Sequence, residues 1–368
     1  MSKGLTRDRV LLISCVSKHQ LYYKPKKPVA IQRGTGGNFR LEEDVKQWRE
    51  DTEITEHIRQ IKHDPDTNYG YRKMTFWLRL LGYYINPKKV YRLMKESHLL
   101  MPKNKRAARN YVKYRVVIPE GPLQVLEMDI KIIWITEQRC HAYVLTVIDT
   151  FTRVVLHWVC ALNMKSNQVK KAWDRVIEEH LQPADVLTKD LHIEVRNDNG
   201  PQFASKATQE YFKENSLTQV FTHPYTPQEN GHVESFHNIL STSIGNRIYW
   251  SLQDLQESLV LFYENYNNTR LHGSIACLWP MLFWEMWEEG LIKRIVKEKR
   301  KIKFIPTIPY QEISGLKNLK GVSCLKHYQL NAGRVLDNEA NGPETLQTTS
   351  VHQSPSVVSC YTNQQQNT

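Results

Sequence analysis

Gln124-Val125-Leu126-Glu127-Met128-Asp129-Ile130-Lys131-Ile132-Ile133-Trp134 is the stretch on which the reading of this chain turns. It is rich in the aliphatic and aromatic residues that favour a pleated strand, and it carries Asp129 in its interior. Working outward, His141 to Asp149 and Arg153 to Ala161 read as two further strands, separated by short polar breaks. Ser166 to Leu181 is amphipathic, with Val169, Trp173, Val176 and Ile177 on one helical face. His192 to Arg196 then reads as a fourth strand, Ser205 to Asn215 as a helix, Thr218 to Thr222 as a fifth strand, and Gly231 to Ile244 as a closing helix.

Three strands, helix, strand, helix, strand, helix is the order of an α/β fold with an RNase H-like mixed five-stranded sheet flanked by helices. Other α/β sheets share that order. Three carboxylates fall where this order brings chain segments together: Asp129 in the first strand, Asp198 after the fourth, and Glu234 at the start of the last helix, with 35 residues between the latter two. Such a set suits phosphodiester chemistry. In-line displacement needs the attacking and leaving oxygens stabilised together, which a pair of hard cations can do, and Mg2+ asks only for oxygen ligands. The Asn199-Gly200 pair after Asp198 predicts a sharp exit from the strand.

Upstream, Ile54, Ile58 and Ile61, then Met74, Trp77, Leu78 and Leu81, then Val90, Leu93 and Met94 fall at helical spacing, predicting a small all-α unit over residues 42–105. Its last helix has Asn86 as N-cap and Pro87 in the first turn, and it carries Lys88, Lys89, Arg92 and Lys95 around its apolar stripe. A recognition helix of a helix-turn-helix has this form, and so does a surface helix with solvated lysines. Residues 1–40 read as a short helical segment and linker, 101–120 as a basic linker, 120–290 as the strand-rich domain, and 291–368 as a basic tail, loosely ordered from residue 332.

The net charge of +12 is unevenly placed. Residues 1–120 hold 26 Lys and Arg against 12 Asp and Glu, residues 121–291 hold 13 against 21, and residues 292–368 hold 11 against 5. Basic flanks around an acidic middle point to a polyanion partner outside and cations inside. No apolar run reaches membrane-span length, and the six scattered cysteines contain no CxxC pair, which argues against a disulfide framework or a structural zinc.

Leu126-Glu127-Met128-Asp129-Ile130, Asn197-Asp198-Asn199-Gly200-Pro201-Gln202-Phe203 and Thr226-Pro227-Gln228-Glu229-Asn230-Gly231-His232-Val233-Glu234-Ser235-Phe236, with Tyr266-Asn267-Asn268-Thr269-Arg270-Leu271-His272 downstream, resemble the integrase catalytic core of bacterial insertion-sequence transposases of the OrfB type. Tyr69-Gly70-Tyr71-Arg72 and Val90-Tyr91-Arg92-Leu93-Met94 resemble the helix-turn-helix segment that precedes that core. The resemblance implies that Asp129, Asp198 and Glu234 are the catalytic residues and bind Mg2+ or Mn2+, two ions to a site. It implies cleavage at element ends, joining of the freed 3′ hydroxyl to target DNA, a homo-oligomer holding double-stranded DNA, an OrfA-type partner and a bacterial cytoplasmic, nucleoid-associated setting. Two other readings share these residues: an inactive DNA-binding descendant, and an RNase H-like nuclease that cuts without joining. Arg72, Lys88, Lys89 and Arg92 of the helical unit are candidate DNA contacts, and Lys206 and Arg247 join them because Asn238 and Ser241 stand on the Glu234 helix where relatives often carry basic residues.

Of the neighbouring groups, Glu127 shares a strand face with Asp129 and competes with it as a ligand. Asp149 reads as a turn residue bonding the backbone, His223 and His232 as loop surface without a partner, and the tryptophans from 279 to 287 as core or subunit interface.

Overall fold

The computed structural model describes residues 6–14, 38–42, 45–64, 67–102, 118–188, 192–223, 227–245, 247–297 and 301–316, with isolated positions 17, 22 and 319. Most of the expected linkers at 24–40 and 101–120, and the tail from residue 332, lie outside these residues.

After α1 (Arg7–Ser14), strands β1 (Phe39–Glu42) and β2 (Val45–Trp48) pair antiparallel, and β1 also pairs with the two-residue β3 (Tyr83–Tyr84). Around them lie α2 (Asp51–His63), α3 (Tyr71–Leu80) and α4 (Pro87–Glu96). The three expected apolar stripes are buried, among them Ile54, Ile58, Met74, Trp77, Leu78, Val90 and Met94. Asn86 caps α4 by accepting a bond from the Lys88 backbone N–H, with Pro87 at the first turn. The small sheet departs from the all-α expectation. Its strands are short, and β1 finds its second partner some forty residues downstream, at Tyr83 and Tyr84.

The central sheet contains β4 (Val125–Ile135), β5 (Cys140–Asp149), β6 (Val155–Ala161), β7 (Ile193–Asn197) and β8 (Leu217–Phe221), in the spatial order β6-β5-β4-β7-β8. β4 to β6 form an antiparallel meander, and β7 and β8 add parallel to β4. Between the strands come α5 (Ser166–Val176), ending in a π-helical turn over Ile177–Leu181, then α6 (Pro201–Ala204) and α7 (Lys206–Glu214). α8 (Gly231–Ile244) and α9 (Leu252–Asn268) follow β8. This is the RNase H-like mixed sheet flanked by helices.

One apolar core gathers Met128, Leu145, Trp173, Val195 and Phe212 beneath α5 and α7; the other gathers Val144, Ile148, Phe236, Leu240 and Tyr263 beneath α8 and α9. Each side is pinned by a polar bond: Trp173 Nε1 donates to Met128 Sδ at 3.1 Å, and Thr146 shares a 2.6 Å hydrogen bond with the Tyr263 hydroxyl. Asn267 clasps β6, accepting from Val155 N and donating to Val155 O, both at 2.9 Å.

Part of the stretch read as a basic tail, residues 292–297 and 301–316, carries regular elements. After α10 (Pro280–Glu288), strands β9 (Ile292–Lys297) and β10 (Lys301–Pro306) form a hairpin, followed by α11 (Tyr310–Ile313). The buried Phe304 packs edge-on against Phe151 and Phe283, with centroids 5.2 and 4.9 Å apart. Tyr310 packs on Phe76 at 5.0 Å, and Gln311 Nε2 donates to Tyr83 O at 3.1 Å. The helical unit also meets the loop after α9: Lys73 Nζ donates to Leu271 O at 2.8 Å, and Leu271 N donates to the Tyr69 hydroxyl at 2.9 Å. Among the described residues no helix is long and apolar enough to cross a membrane.

Two stability predictions follow from this packing. Replacing Asn267 by Ala removes two bonds to β6 and should cost about 2 kcal/mol in urea unfolding. Burial lowers the pKa of His57, His157, His180 and His272 below the ordinary 6.5. The unfolded chain therefore binds more protons near that pH, and stability falls as pH drops through it. The melting temperature should decrease from about pH 7.5 to about pH 5.5; a flat profile would contradict the burial of these rings.

Candidate active site

The geometry begins with the parallel register of β4 and β7. Glu127 stands opposite Arg196 as the last pair of the ladder, and Asp129 and Asp198 each follow two residues beyond it, at the same end of the β4–β7 pairing. Asp129 is half-buried, while Asp198 lies exposed just past the end of β7. Asp129 Oδ1 accepts from the Ile130 backbone N–H at 2.7 Å, and its Oδ2 lies 3.2 Å from His237 Nδ1.

A tight turn holds Asp198. Its Oδ1 accepts from Gly200 N at 3.0 Å, Asn199 Nδ2 donates to Thr222 O at 3.2 Å, and Asn197 is held by Gln219 Nε2 at 3.0 Å. Gly200 has a φ of −56°, so the turn does not use the left-handed conformation that an Asn-Gly pair suggests. Close approach is its reason: a Cβ there would sit 2.5 Å from Gln202 Nε2 and 3.1 Å from Asp198 Oδ1.

Glu234 arrives on α8, and Glu127 anchors that helix. The buried Glu127 carboxylate accepts from His232 N and Val233 N, both at 2.9 Å, and bonds His232 Nδ1 at 2.7 Å. Glu127 thus serves the free N–H groups of the first turn as a cap supplied by another strand. Burial, opposed by these donors, pushes its pKa up to about 7. Glu234 is the next residue of the helix, and His237, three positions on, shares its face. The 3.2 Å approach of His237 Nδ1 to Asp129 Oδ2 shows that this face is turned toward β4.

The pKa of Asp198 is raised by partial burial and then by the charge of Asp129; that of Glu234 is raised by burial, by Asp129 and by Glu127. Asp129 is therefore near enough to both to disfavour their charge. Even so, among the described residues no group of three His, Cys, Asp or Glu side chains is closed up as a metal-holding cluster.

Other expectations fare variously. Glu127 is engaged by the helix. Asp149 is a turn residue, as read: its oxygens accept from Leu123 N, Phe151 N and Thr152 N, and from the Thr152 hydroxyl. His223 and His232 are not unpartnered surface, since His223 bonds Glu229 at 2.9 Å and His232 bonds Glu127. Among the candidate DNA contacts, Lys89 and Arg92 are ion-paired to Asp51 at 2.7 and 2.9 Å, joining α4 to α2. Lys206 pairs with Glu210 at 3.6 Å, and Arg247 with Asp254 at 3.2 Å. Arg72 donates to the Tyr71 hydroxyl at 3.2 Å, and Lys88 is exposed. Ser241 turns its hydroxyl back onto His237 O. Sequence reasoning passed over His237, although three residues from Glu234 on one helix was a sufficient signal.

Replacing Glu127 by Ala should free the start of α8. The expected outcome is a loss of about 2 kcal/mol together with faster amide exchange at His232 and Val233; exchange at the wild-type rate would show that the cap carries nothing.

Residues 119–227 match the integrase core domain family, residues 215–280 match a second integrase core domain family, and residues 48–107 match the HTH-like domain. An uncharacterized 31.7 kDa protein of insertion element IS407 from Burkholderia multivorans is 24% identical over 66% of this chain and 84% of that protein. InsK of Escherichia coli, named as a transposase of insertion sequence element IS150, is 25% identical over 62% of this chain and 82% of its own. The solved catalytic core domain of BIV integrase superposes with a TM-score of 0.32 at 17% identity, covering 46% of this chain and 97% of that one. The fold assignment rests on the strand order alone. The chain is a homologue of the insertion-sequence transposases, carrying an integrase core domain behind an HTH-like domain.

Proposed function

We propose that this chain is a DNA strand transferase whose catalytic residues are Asp129, Asp198 and Glu234, holding two Mg2+ or Mn2+ ions between them. What supports this reading is that the charge of Asp129 adds to burial in raising the pKa of both Asp198 and Glu234, a repulsion that a dication would relieve. The donor set is all oxygen, which suits a hard ion that keeps part of its water shell. When bound, such ions supply positive charge to the attacking and leaving oxygens of an in-line displacement.

The chain's own part is positioning. Ile130 N and His237 each hold one oxygen of Asp129, Gly200 N holds Asp198, and Glu127 holds the helix bearing Glu234. In the reaction a water first attacks phosphorus at an element end and the 3′ oxygen leaves. That 3′ hydroxyl then attacks a target phosphodiester, displacing its 3′ oxygen, so one bond forms as one breaks. The HTH-like unit would bind the element's double-stranded DNA, with Arg72 and Lys88 exposed for phosphates. A homo-oligomer bringing two ends together, an OrfA-type partner and a cytoplasmic, nucleoid-associated setting complete the proposal.

The test is strand transfer on labelled element ends. Asp129→Asn, Asp198→Asn and Glu234→Gln should each lower joining by about a thousandfold or more while end binding stays within about twofold. Activity should return with Mg2+ or Mn2+ after chelation. A fully active Glu234→Gln, or joining that proceeds under chelation, overturns the assignment.

A further inference from the structure

A cavity of about 490 Å3 opens beside the start of α8, where the core, the helical unit and the C-terminal hairpin meet. Its walls include the aromatic residues Phe76, Phe151, Phe304 and Tyr310. Arg153, Lys303, Ser274 and Thr150 also line it, and His232, the partner of Glu127, stands at its border.

The polar side of this cavity carries a surplus of positive charge. Arg153 Nη1 is buried and meets no hydrogen-bond acceptor among the described residues, although the charges of Glu127 and Asp149 act on the guanidinium. The two nearby carboxylates are otherwise engaged: Glu127 by His232 and Val233, Asp149 by Leu123, Phe151 and Thr152. Behind Arg153 lie Lys73, Arg270 and His272, whose mutual repulsion with Arg153 helps to drive the His272 pKa well below its ordinary value after burial has done most of the work. A buried cation with a vacant donor is costly unless an anion completes it. Arg270 and His272 belong to the Tyr266-to-His272 motif, which the carboxylate chemistry leaves without a role.

We infer that this cavity receives one unpaired nucleotide of a DNA strand, its phosphate against Arg153 and Lys303 and its base among Phe76, Phe151, Phe304 and Tyr310. The volume is that of a small-ligand site, and aromatic walls beside a cation are how proteins hold single bases without regard to sequence. The inference deepens the strand-transferase reading and rests on it, because the site lies next to the helix that carries Glu234.

The experiment measures equilibrium binding of the full chain, in EDTA, to a fluorescein-labelled 20-base-pair duplex that is either blunt or carries a two-nucleotide 3′ overhang. The overhang duplex should bind about tenfold tighter. Gly273→Phe should abolish that difference while leaving the blunt duplex and the melting temperature unchanged, because a Cβ at Gly273 meets nothing within 4 Å and the ring can enter the cavity. Lys303→Glu, at an exposed position, should cut the preference several-fold. Free dAMP should erase the preference. Inorganic phosphate erasing it equally well would overturn the nucleotide assignment. So would a preference that is absent in wild type or survives both substitutions. Since no metal is present, the outcome is independent of the carboxylates: blunt-duplex binding and strand joining without an overhang preference sink the cavity and spare the strand-transferase reading, whereas no binding to either duplex sinks both.

Discussion

The site depends on one contact between a strand and a helix that are distant in sequence. Glu127 gives its buried carboxylate to the opening turn of α8, answering N–H groups that no residue of the helix itself can satisfy. A charge so deep in a sheet would be expelled without donors, and helix N–H groups facing a sheet would be orphaned without an acceptor. Each cost offsets the other, and the by-product is orientation. With the helix start fixed, Glu234 and His237 have little choice of direction, and Asp129 lies opposite them.

The flanking elements extend the same logic. Asn197, Asn199 and Gly200 hold the exit of β7 so tightly that a side chain at Gly200 would strike Gln202. Aromatic packing behind α8, where Phe236 lies among Phe262, Tyr263 and Tyr266, gives the helix a rigid back. Polar bonds aim the reactive face while the apolar face resists recoil.

Much of this was legible in the residues. Gly231 to Ile244 was bounded correctly because its apolar spacing is unbroken, and the five strands of the central sheet declared themselves through β-branched runs. The placement of Asp129 and Asp198 at the same end of the β4–β7 pairing required the strand register, which follows once parallel pairing is assumed. What stayed hidden was non-local. The small sheet of β1, β2 and β3 pairs Phe39 with Tyr84 across two intervening helices, and no periodicity announces that. The β9–β10 hairpin was taken for tail because its strands alternate Lys and Arg with apolar residues, and composition gave weight to the charge where Phe304 had to be weighed as core. His232 was placed on the surface because its partner lies 105 residues away. The ion pairs of Lys89 and Arg92, candidate DNA contacts, were hidden for the same reason: their acid, Asp51, belongs to another helix.

The joint among Tyr69, Lys73 and Leu271, reinforced by Gln311 reaching back to Tyr83, has a geometric consequence. It splices the HTH-like unit to the loop that closes the integrase core, so the two bodies share one frame. On the proposed reading, the interval between the nucleotides held by the first and those cut by the second is then set by this joint.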